Sequence, residues 1–325
     1  MNANPKVSIG MPVYNGEAFI KEAINSILNQ TFQDFELIIS DNASTDETQE
    51  ICHFYATQDQ RIQYYRNEFN MGAAWNQSQV VKLAKGDYFK WAHHDDLCAP
   101  ELLEKCAKVL DQNSSIVLCY PQTMIINQWN NPIEQSSDGF DLRSTKAHQR
   151  FRKYHQLVRY GNLCNPFHGL IRANILKKTP IVGSYPSSDL VLLGELVLYG
   201  EFSEIPEILF FKRDHPNNSI RAYPTYRERI AWYDPTKKDQ LYLTKWKWFL
   251  EYLRAIQSAP ITLLEKTLCY LQMLQWLTWN WLWLLKDIFK AITWPIIKLF
   301  LSFKSKPKLD SNSSILSTIN QEQNS

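Results

Sequence analysis

Short runs of β-forming residues alternate with amphipathic stretches over the first 120 residues of the chain. The hydrophobic runs predict strands at residues 7–12, 35–40, 62–66, 88–92 and 116–120. Between the first two runs, apolar side chains recur at helical spacing and predict a helix with one buried face; they are Ile20, Ala23, Ile24, Ile27 and Leu28. This alternation predicts an α/β fold in which a mostly parallel sheet is flanked by helices.

Polar turns follow the predicted strands. Ser44 is followed three residues later by Glu47, which predicts a capping box at the start of the second helix. Residues 41–44 then lie in a loop at the carboxyl end of the second strand, the edge at which open α/β sheets bind ligands. Farther along, the Asn-, Pro- and Ser-rich residues 128–146 predict a long surface loop. A helix at 190–199 and a strand at 205–212 are expected after it.

The composition excludes several functions. With 35 basic and 33 acidic side chains the net charge is +2, whereas a general nucleic-acid binder would carry an excess of Lys and Arg; we expect no nucleic-acid partner. The ten glycines lack the spacing of G-x-G-x-x-G and of G-x-x-x-x-G-K-[ST], which excludes both phosphate loops. The six cysteines form no C-x-x-C pair and are predicted to be reduced core residues. No apolar signal segment opens the sequence, so a cytoplasmic location is expected.

Residues 260–308 differ in composition from the rest of the chain. Within them, residues 267–285 carry no charge, and 14 of these 19 residues are apolar. Five of the 11 Trp lie between residues 260 and 308, and five Lys with no acid lie between residues 288 and 308. Three interpretations stay open: helices lying in a membrane headgroup region, where Trp and Lys are favoured; a membrane-spanning helix, for which Gln272, Gln275 and Asn280 are poor central residues; or a helical pair packed on the rest of the chain.

Two adjacent carboxylates, Asp95 and Asp96, end the predicted strand in GDYFKWAHHDD. Paired carboxylates at such a position can hold a hard divalent cation together with substrate phosphates. The alternative is a solvated turn or an N-cap for the following helix. The polar turns SDNASTDE and PVYNGE at two other strand ends favour a nucleotide-diphosphate site on one rim of the sheet.

These turns belong to longer segments: VSIGMPVYNGEAFIKEAINSILNQTFQDFELIISDNASTDET, RNEFNMG, KGDYFKWAHHDD and PSSDLVLLGELVLYGEFSEIPEILFFKRDHPNNS. In this order and spacing the chain resembles the family 2 glycosyltransferases of GT-A fold over residues 6–222. The resemblance implies that Pro12, Tyr14 and Glu17 line a nucleoside pocket and that Asp41 accepts a hydrogen bond from a uracil or thymine N–H. It also implies that the segment with Arg66, Asn70 and Gly72 closes over the nucleotide.

The resemblance further implies the metal site and the catalytic base. Asp96, helped by Asp95, would hold Mn²⁺ or Mg²⁺, with His215 reaching the metal or the diphosphate. Asp189 would be the general base of an inverting transfer, a role compatible with an N-cap position. The chain departs from the family pattern at Asn42, where many members have a second acid, and at His93 and His94 before the acidic pair. The two histidines leave the identity of the metal open.

The expected function is transfer of a sugar from a UDP- or dTDP-type donor to a glycan or lipid-linked acceptor, by a protein peripheral on the inner membrane face. A nucleotidyltransferase and a sugar-nucleotide-binding membrane scaffold without catalysis are the alternatives. The predicted organisation is a GT-A domain at 1–225, a helical connector at 226–258, a Trp- and Lys-rich amphipathic or membrane-associated segment at 259–308 and a disordered tail at 309–325.

Overall fold

The computed structural model describes residues 4–136, 139–159, 165–238 and 240–304. Within them the strands are β1 Val7–Val13, β2 Phe35–Asp41, β3 Ile62–Arg66, β4 Tyr88–Trp91, β5 Leu97–Cys98, β6 Ile116–Asn127, β7 Pro132–Ser136, β8 Leu170–Arg172 and β9 Glu201–Asp214. The helices are α1 Ile20–Leu28, α2 Thr48–Gln58, α3 Ala73–Leu83, α4 Leu102–Gln112, α5 Ala147–Arg159, α6 Ala173–Leu176, α7 Ser188–Tyr199, α8 Ser219–Ala222, α9 Tyr226–Tyr233, α10 Thr244–Ser258 and α11 Leu263–Lys304. Short 3₁₀ turns lie at Asn165–His168 and Pro235–Lys237. The predicted tail at 309–325 and Cys164 lie outside the described residues.

One mixed sheet runs through the molecule in the order β3-β2-β1-β4-β8-β6-β9-β5, with β7 paired to β6. The first four strands in this order are parallel, and β8 joins β4 to β6 through antiparallel pairs. The predicted α/β fold with a sheet flanked by helices is confirmed. Because β1, β2 and β4 are parallel, the loops after them meet at one edge of the sheet.

The sheet has a hydrophobic core on each face. The apolar side of α1 (Ile20, Ala23, Ile24 and Ile27) packs on one face, as its spacing predicts. The aromatic side chains of Phe89 and Trp91 point to the other core, which also receives residues of α7 and α10. Consecutive residues of β1 and β2 are nearly all buried, as expected for strands covered on both sides.

Several predicted boundaries are wrong. The second helix begins at Thr48 rather than at a capping box, because Thr48 bonds to the side chain of Asp46 and Ser44 is used in a contact with Asn15. The predicted loop 128–146 contains β7, which forms a hairpin with β6. The strand predicted at 205–212 begins at Glu201, and the helix predicted at 190–199 begins at Ser188.

The C-terminal segment forms one helix, α11, which contains Pro295. At 42 residues it is about 63 Å long, at 1.5 Å per residue. One side is buried against the body of the protein through Cys269, Met273 and Trp276, while the opposite side leaves large apolar residues exposed. Of the helices described, α11 included, none has a stretch apolar enough and long enough to cross a bilayer.

Candidate active site

The loops after β1, β2 and β4 surround a pocket of about 270 Å³, which residues 215–232 close from the other side. Five of the residues predicted from the sequence line it: Pro12, Tyr14, Asn70, Asp95 and His215. The pocket also contains side chains that were not predicted, chiefly Phe19, Asn76, Tyr223 and Trp232. The last two rings stack 5.7 Å apart and give the pocket an aromatic wall. Aromatic walls with a few convergent polar groups are typical of small-ligand sites.

Asp95 and His215 form a pair at this pocket, with the Oδ2 atom of Asp95 3.0 Å from Nε2 of His215. Burial opposes ionisation of the carboxyl group, but the hydrogen bond to His215 and the nearby His94 and His93 hold the pKa of Asp95 below its ordinary value. Asp95 is therefore a carboxylate at neutral pH. A carboxylate and an imidazole together form a donor set that suits Mn²⁺.

Arg213, in β9, holds this pair in place. Its backbone N–H donates to Oδ1 of Asp96 over 2.9 Å, and its Nε donates to the carbonyl of Asp95 over 2.8 Å. The guanidinium also donates to Glu22 and lies 4.5 Å from the ring centre of Phe19. The Arg two residues before His215 is visible in the sequence, but its partners come from distant parts of the chain and could not be predicted.

Asp96 lies in a different environment from Asp95. It is buried, and it approaches His93 and His168 closely enough that one donor atom of each could share a metal ion, all three lying within 4.8 Å of one another. Burial and nearby positive charge hold the pKa of His168 well below its ordinary value, so this imidazole is neutral. The structure therefore separates the two acids, with Asp95 beside His215 and Asp96 beside two other histidines.

Asp41 lies beneath the pocket and is fully buried. Its Oδ1 accepts from the backbone N–H of Ser44 over 2.8 Å, and its Oδ2 accepts from the hydroxyl of Tyr64 and from the guanidinium of Arg66. Arg66 is thereby held against the β2–α2 loop, where it also bonds to the Ser44 carbonyl. Neither Asp41 nor Arg66 lines the pocket.

Asn42, the departure from the family pattern, holds the segment that carries Asn70. Its side-chain oxygen accepts from the backbone N–H of Met71 over 2.9 Å and from the amide of Asn67. Its own amide donates to Asn70 over 2.8 Å. An Asp at position 42 could accept hydrogen bonds but could not donate one to Asn70. The amide of Asn42 therefore explains how the turn holds the Asn70 segment without the second acid of the family pattern.

Glu17 and Gly72 contact protein groups outside the pocket. Glu17 lies exposed between β1 and α1, and its Oε2 accepts from the backbone N–H of Glu47. Gly72 precedes α3 with φ +88°, and a Cβ there would come within 2.5 Å of the carbonyl oxygen of Tyr233. The close approach that Gly72 permits is thus to the chain at the end of α9, which carries the pocket residue Trp232.

Asp189 is the second residue of α7, whose N-cap is Ser187 in the left-handed region with φ 59°. The predicted N-cap position is therefore two residues too late. Asp189 is partly buried and does not line the pocket described above. The backbone N–H of Ser187 bonds to the hydroxyl of Tyr233, so the start of α7 is tied to α9.

Comparison with known sequences identifies the family. The model described as Glycosyl transferase family 2 matches residues 8–176, just over half of the chain. The chain belongs to this family. An uncharacterized glycosyltransferase of Methanocaldococcus jannaschii is 31% identical over 177 residues, which cover 54% of this chain and 58% of the relative. A putative glycosyltransferase, EpsE of Bacillus subtilis, is 40% identical over 114 residues, or 35% of this chain and 41% of the relative. The chain thus matches less than two thirds of these relatives.

Solved structures share the fold of this family member. S. aureus TarS 1-349 in complex with UDP-GlcNAc superposes with a TM-score of 0.55 at 19% identity, covering 78% of this chain and 82% of that one. The same protein in complex with UDP gives a TM-score of 0.52 at 20% identity, with 78% and 81% covered. The GT-A fold expected from the sequence is confirmed.

Proposed function

We propose that this family 2 chain transfers a sugar from a UDP- or dTDP-type donor to a hydroxyl of a glycan or lipid-linked acceptor, with inversion and with Mn²⁺ or Mg²⁺. The observation that carries the proposal is the pocket in which Tyr14, Asn70, Asp95 and His215 converge at the carboxyl edge of the parallel strands. The UDP and UDP-GlcNAc complexes of TarS favour a uridine donor.

The residues present fit a divalent cation. Asp95 is ionised and paired with His215 at the pocket, and Asp96 lies next in sequence with two imidazoles. The sequence made Asp96 the principal ligand, helped by Asp95, but Asp95 and His215 line the pocket whereas Asp96 lies beside His93 and His168. We therefore assign the metal to Asp95 and His215, with Asp96 as a further acid of the same loop. A cation held there supplies Lewis-acid stabilisation of the leaving diphosphate.

The protein groups perform the remaining steps. Tyr14, Asn70 and the Tyr223–Trp232 wall would hold the nucleoside and sugar, while Asp41 and Arg66 support the loop beneath. Asp189 would accept the proton of the acceptor hydroxyl as that oxygen attacks the anomeric carbon. Displacement from the opposite face of the sugar inverts its configuration.

The test is turnover of a panel of UDP- and dTDP-sugars by the full chain with Mn²⁺ or Mg²⁺, read as release of nucleotide. Asp95→Asn and Asp189→Asn should each lower kcat at least 100-fold, and Asp95→Asn should also weaken activation by the metal. Glu207→Asn, at an exposed ion pair with Lys105, is the matched control and should stay active. Full turnover by Asp189→Asn would overturn the base assignment. Donor binding without turnover by the wild type would favour the alternative of a sugar-nucleotide-binding scaffold without catalysis. Release of pyrophosphate would indicate a nucleotidyltransferase.

We also propose that α11 lies on the inner face of a membrane as a peripheral contact. One stripe along α11 holds only uncharged residues. It consists of positions 264, 267, 271, 274, 278, 281, 285, 288 and 292. Exposed on or beside it are Leu264, Leu271, Leu274, Trp281, Leu282, Leu285, Ile288, Phe289 and Ile292. A contiguous exposed apolar surface of this kind marks an interaction site.

The charges of α11 favour an anionic lipid surface as the partner. Its two acids face the protein: Glu265 accepts from the backbone N–H of His148, and Asp287 is buried and accepts from that of Lys245. Lys286, beside the stripe, stays exposed with its ammonium 4.3 Å from the ring centre of Trp283. The exposed side thus combines apolar residues with one exposed lysine, while both acids face the protein, as in a helix that lies in the headgroup region.

Flotation of the full chain with phosphatidylglycerol vesicles tests this proposal. Trp281→Glu should reduce the bound fraction about tenfold or more because it puts a charge into the stripe, whereas Trp129→Glu, at a still more exposed Trp of the β6–β7 hairpin, should not. Equal binding by the two variants would contradict the proposal. A dimer that Trp281→Glu dissociates would show that the stripe binds a second copy instead.

A further inference from the structure

A second cavity, of about 170 Å³, lies between α7, α10 and the loop that precedes α7. Its residues do not overlap those of the donor-side pocket. It has room for about six waters at about 30 Å³ each, which suits one small ligand.

Glu195, a lining residue of this cavity, carries a buried carboxylate oxygen without a hydrogen-bond partner among the described residues. The residue lies in the middle of α7 with 2% of its surface exposed, and it lines the cavity. Its Oε2 accepts from Arg254 over 3.0 Å, whereas its Oε1 has no hydrogen-bond partner among the described residues. A buried carboxylate oxygen without a partner is costly, and a ligand that donates a hydrogen bond would remove that cost.

The charges around the cavity are already neutralised. Arg254 also donates to Glu251 over 2.8 Å, and Glu251 pairs with Lys247 at 2.7 Å. Lys237 pairs with Asp234 at 3.2 Å. Because each of these cations has a carboxylate, an anion such as phosphate gains little by binding. Because three cations surround the carboxylates, a cationic ligand gains little either.

Two tyrosines add aromatic surface to the cavity. The rings of Tyr185 and Tyr242 stack 6.4 Å apart at 18°, and both line the cavity. Aromatic faces of this kind pack against the C–H face of a ligand while the neighbouring polar groups fix its orientation. The combination fits a neutral, ring-shaped ligand that carries hydroxyl groups.

We infer that this cavity is a second saccharide site, which binds one sugar ring through a hydroxyl donated to Glu195 and through packing on Tyr185 and Tyr242. The site is separate from the donor pocket, and its binding does not depend on the proposed transfer reaction. The ring could be a free monosaccharide or the end of an oligosaccharide.

Saturation-transfer NMR and calorimetry on the full chain, without nucleotide, test the inference. The probes are glucose, galactose, mannose and N-acetylglucosamine, maltotriose as an oligosaccharide, and inorganic phosphate. At least one sugar should bind with UDP present at saturation as well as without it. Tighter binding of maltotriose than of glucose would identify a chain end as the natural ligand, and the reverse would identify a free sugar.

Glu195→Gln should weaken sugar binding about tenfold or more. Arg254 will donate to the amide oxygen of the Gln, so the amide NH₂ group will occupy the position of Oε1 and cannot accept a hydrogen bond from the sugar. Tyr242→Ala, at a half-buried position, should also weaken sugar binding. It is the second test of the site if Glu195→Gln does not fold. Glu207→Gln should bind as the wild type does. Displacement of the sugar by UDP, binding of phosphate in its place, equal affinity in Glu195→Gln, or no sugar binding at all would overturn the inference.

Discussion

Arg213 shows how one side chain can organise a site that it does not line. Its side chain has no exposed surface, and it connects the Asp95–Asp96 turn after β4 to Glu22 on α1 and Asn130 in the β6–β7 hairpin. Lys cannot reproduce this arrangement, because an ammonium lacks the planar fork of donors. The position of Asp95 therefore depends on the guanidinium geometry as well as on its charge.

We predict that Arg213→Lys lowers kcat for sugar transfer about 10- to 100-fold and raises the metal concentration needed for half activation. Arg61→Lys, at the partly exposed pair with Asp59, is the control and should change neither quantity. The measurement is a metal titration at saturating donor, with thermal unfolding of each variant. Unchanged metal activation in a folded Arg213→Lys variant would argue against the positioning role.

Glu195 predicts a pH-dependent stability. Burial raises its pKa from 4.5 to about 7, against the opposing effect of Arg254. Between these values the folded protein binds more protons than the unfolded chain, so this group's contribution falls as pH rises. In urea unfolding, the free energy of unfolding of Glu195→Gln, relative to that of the wild type, should rise by about 2 kcal/mol between pH 5 and pH 8. A difference that does not change with pH would contradict the raised pKa.

At the scale of elements, the turn before α3 is tied to α9. Gly72→Ala should destabilise the fold by about 2 to 4 kcal/mol, because the new Cβ meets the Tyr233 carbonyl oxygen and the positive φ is strained. Gly139→Ala is the matched control: it also has a positive φ, but its Cβ would have a nearest neighbour at 3.9 Å. Chemical denaturation should separate the two variants, and equal losses would show that backbone strain alone matters.

The elements that the sequence predicts well are those with a strong local pattern. The β1, β2 and β3 strands and α1 appear almost where their apolar spacing places them. The short strands β5 and β8 were missed because two or three residues carry no periodicity, and they exist only through pairing with β9 and with β4 and β6. Likewise, Asp95 and His215 could be predicted as candidate metal ligands from their residue types and positions. The separate environment of Asp96 could not, because it depends on His168 and Arg213, which come from distant parts of the chain.

At the scale of the whole molecule, α11 contributes to both the core and the surface. Deleting residues 259–325 would remove Cys269, Met273 and Trp276 from the core around Tyr252. We predict that the truncated chain unfolds at least about 5 °C below the full chain, since several buried apolar side chains are lost. Calorimetry checks this, and Trp281→Glu, on the exposed side, should leave the melting temperature within about 2 °C. Equal melting of the truncated and full chains would contradict the buried role of α11.

The pairing of Arg213 with Asp95 also determines when the site can exist during synthesis. The two residues are 118 positions apart, so a ribosome that adds about 5–20 residues per second needs about 6–24 s to pass from one to the other. Strands β1 to β4 can pair during that interval, because all their residues have been made. The acidic turn acquires its guanidinium, its histidine and its β5–β9 pairing only after β9 emerges. A growing chain therefore carries an incomplete version of the proposed metal site until about two thirds of its 325 residues have been translated.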